Sequence, residues 1–445
     1  MARRSIPDRI VADLRRRIAD GALLAGDRLP STRVLAEQLD VSRGSVVTAY
    51  EQLVGEGYLV ASRGGTRVNP TLPHPPAPRR PRATGPTAPD VPAPLRPGTP
   101  LTGVLLGANW RAAWRAAAAE PRTHPATGSP RLRTLIADHL RLTRSVPVDP
   151  ADVVVTTGAR DGLRLLLGAL GRPGRLAVED PGYPSLRRIP ATLGWEVCPV
   201  ETDREGVLVD ALVAAAPTAV LVTPNHQFPS GEQMSAPRRF ALLEAARAHG
   251  WWVVEDDYDS ELRAATSSLL ALDPDGRAAM LGSFAKSLTP ALGLGYLVVP
   301  SALRADVARL ALPASGIVQD ALANFLAADG LRAHTARLRR EDRRRRKVFL
   351  GVFPDGTPME GGLHAVVWLE PGSDEGRAVA ASRAAGLGVK GMSTYWSRGG
   401  ARQGPGIVVG LQAPTTDRLR RALLRLKEVL QALTGTRAAP PPAAR

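Results

Sequence analysis

GSFAKSLTPALGLGY, Gly282 to Tyr296, is the stretch on which the reading of this chain turns. An apolar run ends at Lys286, and a Ser-Leu-Thr-Pro turn follows. The lysine is informative because lysine is rare here. Among 445 residues there are 58 Lys+Arg, yet only Lys286, Lys347, Lys390 and Lys427 are lysine. Where positive charge alone suffices, arginine stands. A lysine amine condenses with a carbonyl to a Schiff base, and a guanidinium cannot. Lysine at the end of a strand therefore points to chemistry on an aldehyde.

Outward from that stretch the chain alternates short apolar runs with helical patterns. Strands are expected within 152–158, 175–183, 219–231, 251–259, 278–286 and 295–300, with helices over 159–170 and 236–250. That rhythm is an α/β fold with a mostly parallel sheet, in which ligands collect at the carboxyl ends of strands. Gly158, Asp180 to Tyr183, Asn225, His226, Asp256 to Tyr258 and Lys286 all fall at such ends. Together they match the needs of pyridoxal 5′-phosphate (PLP). Lys286 meets the aldehyde, and Asp256 offers a carboxylate to the pyridine nitrogen, keeping the ring an electron sink. Tyr258 can bond the phenolic oxygen and Tyr183 can stack on the ring. Gly158, Ala159 and Arg160 open a helix whose N–H groups can cradle the phosphate. Ser283 joins this cofactor-binding set. Singly, each residue has a plainer reading: a surface lysine, a turn-forming aspartate, a helix start. Their order and their placement at strand ends favour the site.

The first 69 residues read as a separate small domain. Ile10, Leu14 and Ile18 recur at helical spacing behind Pro7. Ser31 or Thr32 can cap a second helix with Val34, Leu35 and Leu39 on one face. Ser42 caps a third, from Arg43 to about Glu56, with Val46, Val47, Tyr50 and Leu53 inward, and Gly57 ends it. Tyr58–Val60 and Thr66–Val68 can pair around Arg63-Gly64-Gly65. The sum is a winged helix-turn-helix. Arg43 and Ser45 would reach base edges in the major groove, while Ser31, Thr32, Arg33 and Ser42 sit at helix starts near phosphates. The wing, with Arg63, Gly65, Thr66 and Arg67, would touch backbone or minor groove. A helix-turn-helix serving only protein contacts is the plainer alternative. Residues 1–68 hold 11 arginines against 8 acids, so firm binding calls for two copies on two half-sites.

Residues 70–100 carry too much proline for a helix or central strand and read as a linker of polyproline II character. Residues 101–435 form the large domain, and 436–445 a disordered tail. RLRREDRRRRK (337–347) is expected on a long helix with a solvated basic face. The net charge of +16 and pI near 11 favour a polyanionic partner, although a drift of composition toward Ala, Arg, Gly and Pro gives the same numbers. The single cysteine, Cys198, excludes an internal disulfide and fits the cytoplasm. Neither a signal peptide, a membrane span nor a metal site is expected.

LPSTRVLAEQLDVSRGSVVTAYEQLVGEGYL (29–59) closely resembles the DNA-binding domain of GntR-family regulators. EDPGYPSLR (179–187), TPNHQFPSG (223–231), VVEDDYDSELR (253–263) and GSFAKSLTPALGLGYLVVP (282–300) resemble fold-type I PLP aminotransferases. The two together resemble the MocR/GabR-type regulators, over almost the whole chain outside the linker. The resemblance implies that Lys286 forms the internal aldimine, Asp256 pairs with the pyridine nitrogen and Tyr258 lies near the ring oxygen. It also implies a homodimer in which one subunit's DNA-binding domain packs on the other's cofactor domain. Three departures stand out. Phe228 replaces the asparagine that such enzymes place on the ring oxygen, Gly293 replaces an arginine near the phosphate, and Thr123 replaces a tyrosine. Arg160 can supply replacement charge. Arg187, Arg188, Arg398 and Arg402 are candidates for an effector carboxylate. The expected function is a transcription regulator of operator DNA that senses PLP, an amine or an amino acid. The alternatives are an active aminotransferase with an accessory DNA-binding domain, and a degenerate PLP domain used only for dimerisation.

Overall fold

The computed structural model describes residues 5–62, 65–72, 93–100, 107–263, 267–361, 363–397 and 404–434. The chain divides into two compact units, 1–89 and 90–445. Arg63, Arg398, Arg402 and the tail 436–445 lie outside the described residues.

The first unit has three helices, α1 (Ile6–Ala19), α2 (Thr32–Leu39) and α3 (Arg43–Gly55), and a wing of β1 (Leu59–Ser62) and β2 (Gly65–Val68). Each helix starts on a serine. Ser5, Ser31 and Ser42 accept from the N–H groups of Asp8, Val34 and Ser45, which satisfies donors that a helix start leaves open. Ser5 and Asp8 close a reciprocal capping box. The wing strands are antiparallel, with Leu59 opposite Val68 and Ser62 opposite Gly65. The core joins Ile10, Val11, Leu14 and Ile18 to Leu35, Val46, Ala49, Tyr50 and Leu53, with Leu59 and Val68 from the wing. Two expected core residues, Val34 and Leu39, are exposed instead, and Ala36 is buried beside Leu35. An eight-residue helix packed on one neighbour needs only a narrow apolar stripe. Tyr50 donates to the Pro30 carbonyl at 2.9 Å, fixing the start of α2 against α3.

The second unit is a three-layer α/β fold. Its main sheet is ordered β3-β10-β9-β8-β7-β4-β5-β6, from Val153–Thr156, Gly295–Val298, Ala278–Ser283, Trp252–Asp257, Ala219–Val222, Arg175–Asp180, Glu196–Asp203 and Gly206–Val207. Strands β4, β5, β7, β8 and β9 are mutually parallel, and β10 runs against them. Alternate residues face opposite layers, as a pleat requires. Val154 packs with Leu163 and Leu166 of α6 (Ala159–Ala169), whereas Val153 and Val155 pack with Leu132, Ile136 and Phe325. α4 (Ala108–Ala119) and α5 (Pro130–Arg144) complete that second layer. A smaller antiparallel sheet follows, β11-β12-β14-β13, from Thr357–Pro358, His364–Trp368, Gly406–Gly410 and Lys390–Gly391.

Two sequence expectations need correction. The proline content predicts a linker up to residue 100, yet residues 93–100 belong to the second unit. Leu95 is only 2% exposed, its carbonyl accepts from the Gly410 N–H at 2.8 Å, and the Pro94 carbonyl accepts from Gly388 at 2.8 Å. The strap lies so close to β14 that a Cβ on Gly410 would stand 2.1 Å from the Arg96 carbonyl oxygen. Only glycine admits that approach. Residues 337–347 do lie on one long helix, Gly330–Val352, but its basic face is not all solvated. Arg345 is 1% exposed and donates to the carbonyls of Leu411 and Ala413 at 2.8 and 2.6 Å. Its charge caps loop carbonyls after β14 and is unavailable to DNA.

Candidate functional site

The register of the parallel strands assembles the site. Asp256 of β8 stands opposite Leu281 of β9 and Asp257 opposite Gly282, so the two strands end side by side. Beyond β9 a single helical turn, Phe284–Ser287, carries Lys286. Its Phe284 N–H donates to the Leu294 carbonyl at 3.3 Å, and its Ala285 N–H donates to the Ser283 hydroxyl at 3.2 Å. On the other flank Gly158 caps α6 with φ +129°, a conformation that side chains resist, so the loop from β3 can turn tightly into the helix. A cavity of about 300 Å³ opens between these ends. Gly158, Ala159, Arg160, Tyr183, Asp256, Tyr258, Ser283 and Lys286, all expected from the sequence, line it.

The electrostatics are those of a cation-accepting wall. Asp256 is buried, and its Oδ1 has no hydrogen-bond partner. Burial, reinforced by Asp257, Asp259 and Glu179, pushes its carboxyl up to about 8, against the pull of Lys286. Burial lowers the Lys286 amine from the ordinary lysine range although Asp259 and Asp256 oppose the shift. Its Nζ donates to the Gly98 carbonyl at 2.6 Å. Tyr258 donates to the His226 carbonyl at 3.0 Å and stacks on the His226 ring, while His226 Nδ1 pairs with Asp259. The Tyr258 proton is thus engaged by the protein. Tyr183 and Phe228 meet edge to face at 5.3 Å over the mouth.

These residues fit PLP. An unpartnered buried carboxylate wants a cationic N–H donor, a helix start offers N–H groups to a phosphate, and Lys286 is the amine between them. Gly293 lines the same cavity with φ +54°, and open space surrounds the position of a Cβ. Arg160, at the first turn of α6, is the arginine on this wall. Thr123 is exposed, away from the cavity lining.

Of the carboxylate candidates, Arg187 and Arg188 divide. Arg187 is spent on the protein: it binds the Glu179 carbonyl, Asp180 at 3.3 Å and Ser397 Oγ at 2.6 Å. Arg188 faces a cavity adjoining the first. Gly98 and His364 also line the site, and no sequence cue points to either. Gly98 sits in a stretch whose composition reads as linker, and His364 opens a strand nearly 80 residues beyond Lys286. Burial and the neighbouring His226 push His364 down to about 3, so its ring is neutral.

A pH test follows from Asp256. Unfolded, its carboxyl ionises near pH 4; folded and without cofactor it keeps its proton to about 8. The folded state binds the extra proton between those limits, so stability falls as pH rises across them. Asp256→Asn is expected to remove this contribution, at most about 1.4 kcal/mol per pH unit. Denaturant unfolding at pH 5 and pH 8 measures it, and equal slopes for both proteins would refute it.

In the first unit, Ser31, Arg33, Ser42 and Arg43 are exposed at the starts of α2 and α3, with Thr32 and Ser45 half-buried beside them. Ser42 and Ser45 hydroxyls lie 2.9 Å apart. In the wing, Gly65 takes φ +109°, Thr66 is half-buried, and Arg67 donates to the Gly26 carbonyl at 3.3 Å.

The fold and site define a class: a winged helix-turn-helix joined to an aminotransferase-like, PLP-type domain. Residues 7–68 match the model of bacterial regulatory proteins of the gntR family, and 108–387 match aminotransferase class I and II. The chain is 45% identical over 442 residues to the HTH-type pyridoxine biosynthesis transcriptional regulator PdxR of Corynebacterium glutamicum, covering 96% of each. It is 38% identical to the HTH-type transcriptional regulator TauR of Rhodobacter capsulatus over 76% of this chain and 77% of TauR. It is 32% identical to the probable rhizopine catabolism regulatory protein MocR of Rhizobium meliloti, over 76% and 75%. The chain belongs to the MocR-type transcriptional regulators. An archaeal alanine:glyoxylate aminotransferase shares the fold, with TM-score 0.69 at 21% identity over 77% of this chain and 91% of the enzyme. No helix among the described residues is long and apolar enough to cross a membrane.

Proposed function

We propose that this regulator holds PLP on Lys286 and uses the occupied site to sense PLP, an amine or an amino acid. The observation that carries the reading is the buried, unpartnered Asp256 Oδ1 in one cavity with the Lys286 amine. When bound, PLP supplies an aldehyde that condenses with amines and a ring that withdraws their electrons. Lys286 brings the nucleophilic amine, its lowered pKa leaving more of it neutral. Asp256 keeps a proton at the ring nitrogen. Gly158 and Ala159 present backbone donors to the phosphate, and Arg160 offsets the arginine that Gly293 replaces. Phe228, in place of an amide donor, leaves the ring oxygen with one fewer partner, which suits a sensor better than an efficient transaminase.

The DNA reading assigns Arg43 and Ser45 to base edges, with Ser31, Thr32, Arg33, Ser42 and the wing on the backbone. The modest charge of residues 1–68 favours a homodimer with two reading heads, domain-swapped across the linker and acting in the cytoplasm where its operator lies. The first experiment is titration of the purified protein with PLP, read by visible absorption and by capture with borohydride. A band that saturates and is captured is expected, with weaker affinity in Arg160→Ala; no band would overturn the cofactor reading. Arg43→Ala should cost about 1–3 kcal/mol of operator binding and leave non-specific binding nearly intact. Mobility shifts on operator and scrambled DNA measure this, and an equal loss on both would reassign Arg43 to the backbone.

A further inference from the structure

The wall of the cofactor cavity continues into an outer cavity of about 370 Å³. The two share Gly98, Tyr183, Phe228 and Lys286. The outer one adds three cations from three separate pieces of chain. Arg96 comes from the strap on β14, Arg188 from the turn after β4, and Lys390 from β13.

Arg96 and Arg188 are exposed and Lys390 is half-buried, whereas several more enclosed arginines are committed: Arg144 to Asp257, Arg187 to Asp180, Arg238 to Asp203, Arg239 and Arg345 to backbone carbonyls. Among the described residues, no carboxylate pairs with Arg96, Arg188 or Lys390, and their side chains make no hydrogen bond. The three also feel one another. Burial lowers the Lys390 amine, and the charges of Arg96, Arg383 and Arg188 lower it further. Like charges gathered around one concave space repel, and the cost is relieved when an anion enters.

We propose that the outer cavity is a subsite for a doubly charged oxyanion, borne by a phosphate monoester or a dicarboxylate, on a ligand whose other end reaches the inner cavity beside Lys286. The inference rests on the PLP reading of the inner cavity. It is separate from the phosphate cradle at Gly158, which lines only the inner space. Tyr183, Phe228 and Tyr395 give the ligand's body apolar and aromatic walls between its two ends.

The test uses the full chain loaded with PLP, so that the inner cradle is filled. Calorimetric titration with inorganic phosphate and with succinate probes the two sources of the charge. Saturable binding of at least one probe is expected, and the one that binds names the source. Arg188→Met and Lys390→Met should each weaken it about tenfold or more, the scale of one charge-assisted hydrogen bond. Lys390→Arg should restore most of the Lys390→Met loss, which separates a lost charge from a damaged fold. Binding of neither probe, or binding unchanged in the methionine variants, overturns the subsite. The visible band is recorded on the same samples. Its absence from the parent protein sinks the cofactor reading by itself, whereas a normal band without probe binding sinks only the outer subsite.

Discussion

Lys286→Ala is expected to abolish the visible PLP band completely and to leave nothing for borohydride to capture. The amine is the only nucleophilic nitrogen among the residues lining the inner cavity that a carbonyl reagent can convert to a stable covalent product. Asp256, Tyr258 and the start of α6 remain in the variant, so weak non-covalent PLP binding should persist. That residue of binding is the useful part of the result. Equilibrium dialysis would find PLP bound without the aldimine band, and an added amine would fail to release it by exchange. Capture undiminished in Lys286→Ala would mean that a different lysine holds the cofactor. Lys390, in the adjoining cavity, would then be the first to examine.

The second large effect is on stability. Behind Asp256 lies a buried ion cluster: Arg144 reaches Asp257 at 3.3 Å and Glu261 at 3.9 Å, with all three side chains almost wholly enclosed. His139 approaches Glu261 at 3.5 Å from the same helix as Arg144. Arg144→Met keeps an unbranched apolar stem and removes the guanidinium and its charge, leaving two carboxylates buried beside each other. Breaking such a buried pair costs about 3–5 kcal/mol, because the survivors keep their desolvation penalty. A shift of that size in urea unfolding is expected, relieved in part by Asp257→Asn in the same chain. A loss below about 1 kcal/mol would show that water or protonation already neutralises the cluster. PLP affinity should fall with it, since Asp257 is the neighbour of Asp256.

The two clusters differ in how far the sequence revealed them. Asp256 and Lys286 were legible because their chemistry demands particular residue types at the ends of runs that read as strands. The serine caps of α2 and α3 were legible for the same reason: the cue and its effect lie within three residues. Arg144, Asp257 and Glu261 were not, since their meaning depends on α5 crossing a strand end more than a hundred residues later. Residues 93–100 were misread as linker because proline content is a local signal, whereas their pairing partners, Gly388 and Gly410, come about 300 residues downstream. The arginine run at 337–347 was read correctly as helix, but charge density gave no hint that Arg345 would turn inward to the carbonyls that follow β14. Val34 and Leu39 erred in the other direction, apolar residues that the small unit leaves in solvent.

The bond from Lys286 to the Gly98 carbonyl has a consequence for how the site is set. A free lysine nitrogen carries two or three hydrogens, whereas one joined to a carbonyl carbon keeps at most one. Gly98 and an incoming aldehyde are therefore rivals for the same atom. The rival on the protein's side is tethered, so its effective concentration is fixed by chain connectivity and does not dilute. Residues 93–100 follow directly on the segment that leads back to the DNA-binding unit. On the reading that Lys286 holds the cofactor, the threshold at which a carbonyl compound wins the amine is set by residues 93–100 of the second unit.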